Sequence, residues 1–472
     1  MISEPALSPL DGRYRTQTAP LTEVFSEQNL ALQRIKVEYG WLLHLSEQED
    51  PAFETLHRSR SRLTALAAEV EACTSTDASF LSLFAEIKAI EAQTRHDVKA
   101  VEYWLQQQMV SHGIPDCIPW IHFACTSEDI NSTAWASMLQ TGLAEVLLPE
   151  LRQLLDQLTT LAEQTASISM LARTHGQVAS PTTFGKEVAV FANRLHQQIL
   201  HLSQLNPSAK FSGATGNYNA HLSAIPHLPW DRICADFVEQ RLQLDYNDCT
   251  TQIEPNDRLA EICHCLMRIN RILTDMSRDF WGYIAMDYLS QKNLSGEIGS
   301  STMPHKINPI DFENAEGNLQ IADSLLHSLA FNLTVSRWQR DLSGSTLQRN
   351  IGTAAGHCLL AWKSLGRGLA RTACNRAKIT QDLESHWEVL TEAVQTALRM
   401  AGQDTAYEQL QQWSKGKGTM GAKAFQDAIA TLPLTDETVR QRLLNLTPET
   451  YTGAASQIAL KICARLKATG TY

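Results

Sequence analysis

Residues 259–280 read LAEICHCLMRINRILTDMSRDF and carry the clearest periodic pattern in the chain. Apolar residues recur there at alternating spacings of three and four, at Leu259, Ile262, Leu266, Ile269, Leu273, Met276 and Phe280. This alternation places their side chains on one stripe of an α-helix and is typical of helices that pack nearly parallel in bundles. The stretch therefore predicts a long helix whose apolar stripe is core.

Four further segments show the same spacing, at 143–161, 188–205, 322–333 and 351–369. Pro149 lies within the first of them and could kink the helix. Helices of about 25 to 30 residues would be on the order of 40 Å long. Five of them in one chain tend to leave apolar stripes uncovered, and association with copies of the same chain is the simplest remedy. Since period-two alternation is scarce, we predict an all-α fold with a central bundle of five long helices.

Length and composition restrict the class of protein. A chain of 472 residues suggests several domains, and we predict an N-terminal helical domain at 1–116, a long-helix bundle domain at 117–369 and a C-terminal helical domain at 370–472. The net charge of −11 argues against a nucleic-acid partner. Neither a secretory signal nor a membrane-spanning stretch is recognisable. Ten cysteines without a framework or metal-ligand spacing indicate a cytoplasmic protein with reduced thiols.

Groups suited to acid–base chemistry are few and fall in the polar segments between the long helices. They are His96, Thr126, Ser127, His175, Ser300, Ser301, His305 and Lys306. The chain has no Gly-x-Ser-x-Gly elbow, P-loop or dinucleotide fingerprint. The inventory therefore favours proton transfer without a cofactor or a metal. A lone histidine more often has a structural role. The residues alone leave open whether His175 is structural or catalytic.

Residues 295–309, SGEIGSSTMPHKINP, form the most unusual of these segments. A glycine- and serine-rich loop presents backbone N–H groups, and with Lys306 beside them they could stabilise developing negative charge. The plainer interpretation is a glycine-rich connection between helices.

Basic residues near the start of the last long helix suggest an anion site. Arg340, Ser345 and Arg349 stand five and four residues apart, which suits a phosphate held by guanidinium forks and a hydroxyl. Arg13 and Tyr14 could complete such a site. A solvated surface is an equally good interpretation at this point.

Several of these segments together resemble one known family. GSSTMPHKINP (299–309) resembles the signature loop of the fumarase/aspartase superfamily, whose members eliminate fumarate from succinyl compounds. The segments RTHGQ (173–177), HDVKAVEY (96–103), CTSEDIN (125–131) and TTQIEP (250–255), with the Arg–Ser–Arg spacing, narrow the resemblance to adenylosuccinate lyases. It extends from SPLDGRY at residue 8 to the last helix.

The resemblance implies a mostly helical three-domain subunit and a homotetramer with a twenty-helix core, in which three subunits build each active site. It implies an anti β-elimination that gives fumarate and AMP from adenylosuccinate. The same reaction would give fumarate and AICAR from succinyl-aminoimidazole carboxamide ribotide (SAICAR). No cofactor, metal, nucleic acid or membrane is implied.

Residue by residue, the resemblance makes Ser300 the general base and His175 the general acid. Further roles are implied as follows: Lys306, Ser301 and Asn308 hold the carboxylate that gains charge; Thr126, Ser127 and Gln252 contact the succinyl group; His96 orients the acid or the phosphate; Arg13, Tyr14, Arg340, Ser345 and Arg349 hold the phosphate; Arg95, Asp97 and Asn314 line the site. Arg95 departs from the small amide side chain expected there, which leaves its role open. Another lyase of the superfamily and a catalytically silent helical scaffold remain the alternatives.

Overall fold

The computed structural model describes residues 6–292, 303, 305–403, 406–414 and 420–469. Within them the chain is predominantly helical, which confirms the predicted fold class. The helices are α1 Arg15–Phe25, α2 Glu27–Leu45, α3 Glu54–Glu71, α4 Ala78–Thr94, α5 Asp97–Ser111, α6 Ser127–Thr141, α7 Leu148–Gln164, α8 Phe184–Ser203, α9 Asn219–Ala224, α10 Trp230–Asp236, α11 Asp257–Ala285, α12 Ile310–Asn332, α13 Ser343–Gln348, α14 Ile351–Arg371, α15 Arg376–Glu384, α16 Thr391–Met400, α17 Ala406–Ser414, α18 Ala422–Ala430, α19 Glu437–Leu444 and α20 Ala455–Thr469.

Short strands pair two by two among these helices. The antiparallel pairs are β1 Ser169–Thr174 with β2 Gln177–Thr183, and β5 Leu289–Gln291 with β6 Thr372–Cys374; the parallel pair is β3 Ser208–Ala209 with β4 Asp245–Tyr246. No helix of the described chain is both long and apolar enough to cross a bilayer.

All five periodic segments are helices, namely α7, α8, α11, α12 and α14. The stripe of α11 is core as predicted: Ile262, Ile269 and Leu273 are fully buried. Upstream of α7, α6 leads into a π-helical turn at Gly142–Leu147. Pro149 is the second residue of α7, directly after this π-helical turn, and its missing backbone N–H coincides with the irregular hydrogen bonding there.

The chain forms two compact units, whose boundaries fall within the long helices. The first comprises Met1–Leu151, Gln198–Arg271 and Gly317–Ala361; the second comprises Arg152–Gln197, Ile272–Glu316 and Trp362–Tyr472. The three-domain division stays a prediction.

In the first unit the core surrounds α2. Ile35, Trp41 and Leu42 of this helix are fully buried. The ring of Trp41 lies 4.8 Å from that of Phe211 and 5.2 Å from that of Phe237, between ring centres. Since 14 of the 19 residues of α2 are buried, its polar residues such as Arg34 and Glu38 are held among neighbouring elements.

In the second unit the core contains Phe184, Phe280 and Phe312, whose rings pack at centre distances of 5.9 and 5.4 Å. Gly185 opens α8, and a Cβ there would lie 2.3 Å from the carbonyl oxygen of Ala162 on α7. Only glycine allows this close approach of the two helices.

Candidate active site

A cavity of about 200 Å³ in the first unit collects seven of the predicted site residues. They are Arg95, His96, Asp97, Ser127, Arg340, Ser345 and Arg349, and Arg34, Val98, Asn131, Trp135, Leu342 and Gln348 complete the lining. The corner between α4 and α5, the start of α6 and the segment from 340 to 349 supply these side chains. Segments far apart in sequence thus converge on one pocket.

His96 caps α5. The backbone N–H of Lys99 donates to Nδ1 of His96 at 3.1 Å, which occupies that nitrogen as an acceptor. The neutral ring therefore carries its proton on Nε2. His96 can therefore donate a hydrogen bond through Nε2 but cannot accept one there.

Arg95 ends α4 in a left-handed conformation, with φ 54° and ψ 30°. Glycine and asparagine are the residues that favour this conformation after a helix, which explains why a small amide side chain suits the position. An arginine bears the backbone strain, roughly 1–2 kcal/mol for a side chain with a Cβ. Arg95 lines the cavity, and its side chain makes no ion pair with any described residue.

Asp97 lies between two guanidiniums. Its Oδ2 accepts a hydrogen bond from Nη2 of Arg34 at 2.8 Å and another from Nη2 of Arg349 at 3.1 Å. Burial favours the neutral carboxyl, yet the charge and hydrogen bond of Arg34 hold the pKa of Asp97 below its ordinary value. Asp97 is therefore ionised and engaged with protein groups.

Arg340 is held by two partners. Its Nη2 lies 2.9 Å from Oε1 of Glu128, and its Nη1 donates to Oε1 of Gln252 at 3.1 Å. Gln252, predicted to contact the succinyl group, thus orients Arg340, while its Nε2 donates to the carbonyl of Ala214 at 2.8 Å.

Four polar residues of the site were missed from the sequence: Arg34, Glu128, Asn131 and Gln348. Glu128 and Asn131 stand inside the segment CTSEDIN, three residues apart and hence on one face of α6. That spacing was a usable signal. Arg34 lies in the buried helix α2, where nothing local distinguishes it.

A buried ion pair supports Thr126 and Ser127 at the start of α6. The Asp129 carboxylate accepts the backbone N–H of Thr126 at 2.7 Å, and its Oδ1 lies 2.6 Å from Nζ of Lys210. Both charged side chains are fully buried. Asp129 also accepts the backbone N–H of Ser212 at 2.9 Å, so it joins two segments.

The segment before Thr126 is strained. His122 and Ala124 have φ values of 58° and 59°. Glu38, fully buried on α2, accepts the backbone N–H of His122 at 3.1 Å and lies 2.7 Å from its Nδ1. Glu102 lies 3.9 Å from its Nε2. Backbone strain of this kind persists only where surrounding contacts fix it.

His122 gives the site a pH-dependent support. Burial favours the neutral imidazole, but the Glu38 carboxylate raises the pKa of His122 above its ordinary value. A raised folded-state pKa means that the stabilisation is complete below about pH 6.5, the ordinary value. It is lost as the pH rises through the raised value.

Replacing His122 by asparagine, which tolerates the left-handed backbone, should therefore destabilise the protein most at low pH. We expect a loss of about 1–3 kcal/mol at pH 6 and a smaller one at pH 9, measured by thermal unfolding. Exposed His112, replaced in the same way, is the control. An equal loss at both pH values would contradict the assignment.

In the second unit, His175 stands in the turn of the hairpin β1–β2. His175 and Gly176 have φ values of 53° and 75°, the backbone of a two-residue turn with both central residues left-handed. The hairpin presents His175 in an exposed position. This strand pair was not predicted.

Of the other predicted residues that the structure describes, none is among the residues that line this cavity. Arg13 and Tyr14 precede α1, with the Arg13 guanidinium 5.8 Å from the Tyr14 ring centre. Lys306 and Asn308 lie just before α12, and Asn314 is in its first turns. Exposed His305 lies beside Lys306. Ser300 and Ser301 lie outside the described residues.

Two family models match the chain: a lyase model covers residues 12–321 and an adenylosuccinate lyase C-terminal model covers residues 336–452. The adenylosuccinate lyase of Legionella pneumophila strain Philadelphia 1 is 43% identical, over 96% of this chain and 97% of the relative. Those of Haemophilus influenzae strain Rd and Escherichia coli K12 are both 44% identical, over 97% and 95% of this chain and 98% and 97% of the relatives.

Solved structures match the fold. One is a 3-carboxy-cis,cis-muconate lactonizing enzyme from Pseudomonas putida, with a TM-score of 0.74 and 21% identity over 95% of this chain and 97% of the other. Another is a fumarate lyase from Mesorhizobium sp. BNC1, with a TM-score of 0.75 and 16% identity over 94% and 97%. With both family models and near full-length relatives in agreement, the chain is a lyase and belongs to the adenylosuccinate lyase family of the fumarase/aspartase superfamily.

Proposed function

We propose that the protein eliminates fumarate from adenylosuccinate, giving AMP, and from SAICAR, giving AICAR. The charge around the cavity is the observation that carries the proposal. Four guanidiniums and two carboxylates leave an excess of two positive charges, from Arg34, Arg95, Arg340 and Arg349 against Asp97 and Glu128. A phosphate monoester carries about −1.5 to −2 charge at pH 7, so the excess matches a nucleotide phosphate. Because the chain as a whole has a net charge of −11, this local excess of positive charge indicates an anionic ligand rather than a generally basic surface.

The proposed reaction is a stepwise anti β-elimination. Ser300 removes the proton from Cβ of the succinyl group, and the electron pair moves into the adjacent carboxylate as an aci-form. The pair then forms the C=C bond of fumarate as the C–N bond breaks, and His175 gives a proton to the leaving nitrogen. Ser300 rests on the family resemblance alone.

We assign substrate-binding roles to most of the other predicted residues. Lys306, Ser301 and Asn308 hold the carboxylate on which charge develops, and Thr126 and Ser127 contact the succinyl group. Arg340, Ser345 and Arg349 hold the phosphate, with Arg13 and Tyr14 completing that site. Arg95 and Asn314 line the substrate, and His96 donates through Nε2 to orient the acid or the phosphate. Phosphate binding far from the breaking bond positions the reacting atoms.

We propose further that the enzyme is a homotetramer whose active sites are each completed by three subunits. Large apolar side chains exposed on the described chain support association, since Phe331, Val335, Trp338 and Leu342 are 68, 69, 93 and 73% exposed. We also propose a cytoplasmic location. All ten cysteines are described and none is in a disulfide, which suits a reducing compartment.

Arg340→Ala tests the phosphate assignment. The variant loses a charge-assisted hydrogen bond worth about 1.5–3 kcal/mol, so we expect KM for adenylosuccinate to rise by about 10- to 100-fold. The measurement is an ultraviolet assay of AMP and fumarate formation. Arg337→Ala is the matched control, because Arg337 is 83% exposed and pairs with Asp341.

Two results would contradict the proposal. A wild-type protein that turned over argininosuccinate, which carries no phosphate, but not adenylosuccinate would reject the reaction. Equal KM values for the Arg340 and Arg337 variants would keep the reaction and reject the phosphate site.

A further inference from the structure

Arg34 is a buried cation at the cavity. It lies on α2 with 6% of its side chain exposed, so it offers little surface to a ligand. Its Nε donates to Oδ1 of Asn131 at 2.9 Å, and its Nη2 donates to Oδ2 of Asp97 at 2.8 Å. Both partners are polar side chains of the site, so Arg34 is fixed between α5 and α6.

One carboxylate oxygen serves two arginines. Oδ2 of Asp97, which receives Nη2 of Arg34, also receives Nη2 of Arg349 at 3.1 Å. The three groups together carry one positive charge. Without the charge of Arg34, Asp97 would be left to Arg349 alone, and the pair would be neutral.

Arg34 is also linked to Arg340, through Asn131 and Glu128. Asn131, which accepts from Arg34, donates through Nδ2 to Oε1 of Glu128 at 3.3 Å. That oxygen also lies 2.9 Å from Nη2 of Arg340. Arg340 and Arg349 are therefore joined by a continuous chain of ion pairs and hydrogen bonds with Arg34 near its middle.

We infer that Arg34 is a positioning residue that keeps Arg349 available to an anion by competing with it for Asp97. Arg34 acts through Asp97 and does not itself bind the ligand. The inference rests on the proposed function only in taking the anion to be the phosphate of a nucleotide. It assigns a role to a residue that the family resemblance left out.

The test compares the affinities of AMP and of inorganic phosphate by calorimetry. Arg34→Gln removes one charge from the group and should weaken both affinities by about tenfold, the effect of one nearby charge at partly screened range. Lys36→Gln is the matched control. It removes one positive charge from the same helix, where Lys36 pairs with Glu71 at 3.2 Å, and should leave both affinities unchanged.

Two further variants show whether the loss of affinity comes from the lost charge or from misfolding. Arg34→Gln with Asp97→Asn restores the single positive charge of the group, so the affinities should recover most of the loss. Arg34→Lys keeps the charge and should stay within about threefold of the wild type, since it loses only hydrogen-bond geometry. Thermal unfolding of each variant identifies any loss caused by misfolding.

Three results would overturn the inference: wild-type affinity in Arg34→Gln, no recovery in a folded double variant, or a tenfold loss in folded Arg34→Lys. Failure of the proposed reaction looks different. A wild-type protein that binds AMP but leaves adenylosuccinate intact would reject that reaction and leave the role of Arg34 standing.

Discussion

Replacing His175 by asparagine is expected to lower kcat for adenylosuccinate by about 10²- to 10⁴-fold, the usual contribution of a positioned acid or base. The change removes the imidazole that we propose protonates the leaving nitrogen. Asparagine is among the residues favoured in a turn with left-handed central residues. The φ of 53° at position 175 is therefore kept, and the hairpin β1–β2 with it.

The choice of asparagine decides what the result means. An alanine at position 175 would combine loss of the imidazole with a strained turn, and a fall in kcat would not separate the two. Thermal unfolding of His175→Asn should match the wild type. His201→Asn, at an exposed histidine near the end of α8, should keep wild-type kcat.

Two outcomes would assign the acid elsewhere. If kcat for His175→Asn stays within about threefold of the wild type, far below the contribution of a general acid, His175 is not the acid and His96 becomes the next candidate. His96 has its proton on Nε2 and lines the cavity, so it meets the first requirement of a donor. If both KM and kcat change while the unfolding temperature falls, the hairpin rather than the imidazole is responsible.

The long helices were predictable because their signal is local and repeated. The spacing of three and four in α11 comes from one buried stripe, and each residue of the stripe repeats the evidence. The start of α6 was missed, since the apolar run from Leu143 suggested a later helix. A capping pattern was nevertheless present: Thr126 is followed three residues later by Asp129, whose carboxylate accepts the Thr126 N–H.

The hairpin that presents His175 gave a weaker signal. Its strands β1 and β2 have six and seven residues, and a bulge between Leu171 and Ala172 interrupts the alternation. The dipeptide His175–Gly176 was the better clue, because glycine readily takes the second left-handed position of such a turn. A short strand pair between long helices is otherwise hard to distinguish from a polar loop.

The arginine network could not be predicted from local patterns. Arg34 meets partners 63 and 97 residues away, and Arg349 meets Asp97 across 252 residues. Such pairings depend on which helix faces meet, which periodicity does not specify. The family resemblance supplied Asp97 and Arg349 as site residues, but their mutual contact and the role of Gln252 towards Arg340 required the folded chain.

Asp129→Asn is expected to cause the largest loss of stability, about 3–5 kcal/mol, the cost of leaving one member of a buried ion pair without its partner. Nζ of Lys210 lies 2.6 Å from the carboxylate, and neither side chain is exposed. An asparagine can still accept one backbone N–H, but it cannot balance the charge of Lys210. The midpoint of urea unfolding measures the effect.

Asp275→Asn is the matched control. Asp275 pairs with Arg194 at 2.7 Å, but the two side chains are 55 and 41% exposed, so its loss should cost no more than about 1 kcal/mol. A double variant, Asp129→Asn with Lys210→Met, removes both buried charges and should recover part of the stability, since no uncompensated ion remains.

The double variant also shows whether Asp129 serves substrate binding in addition to stability. Asp129 accepts the N–H groups of Thr126 and Ser212, so its carboxylate sets the backbone from which Ser127 enters the cavity. If that geometry serves substrate binding, the double variant should regain stability while KM for adenylosuccinate stays raised. Recovery of both would mean that the ion pair only holds the fold. A loss of less than 1 kcal/mol in Asp129→Asn itself would show that water or another group compensates Lys210, contrary to its complete burial.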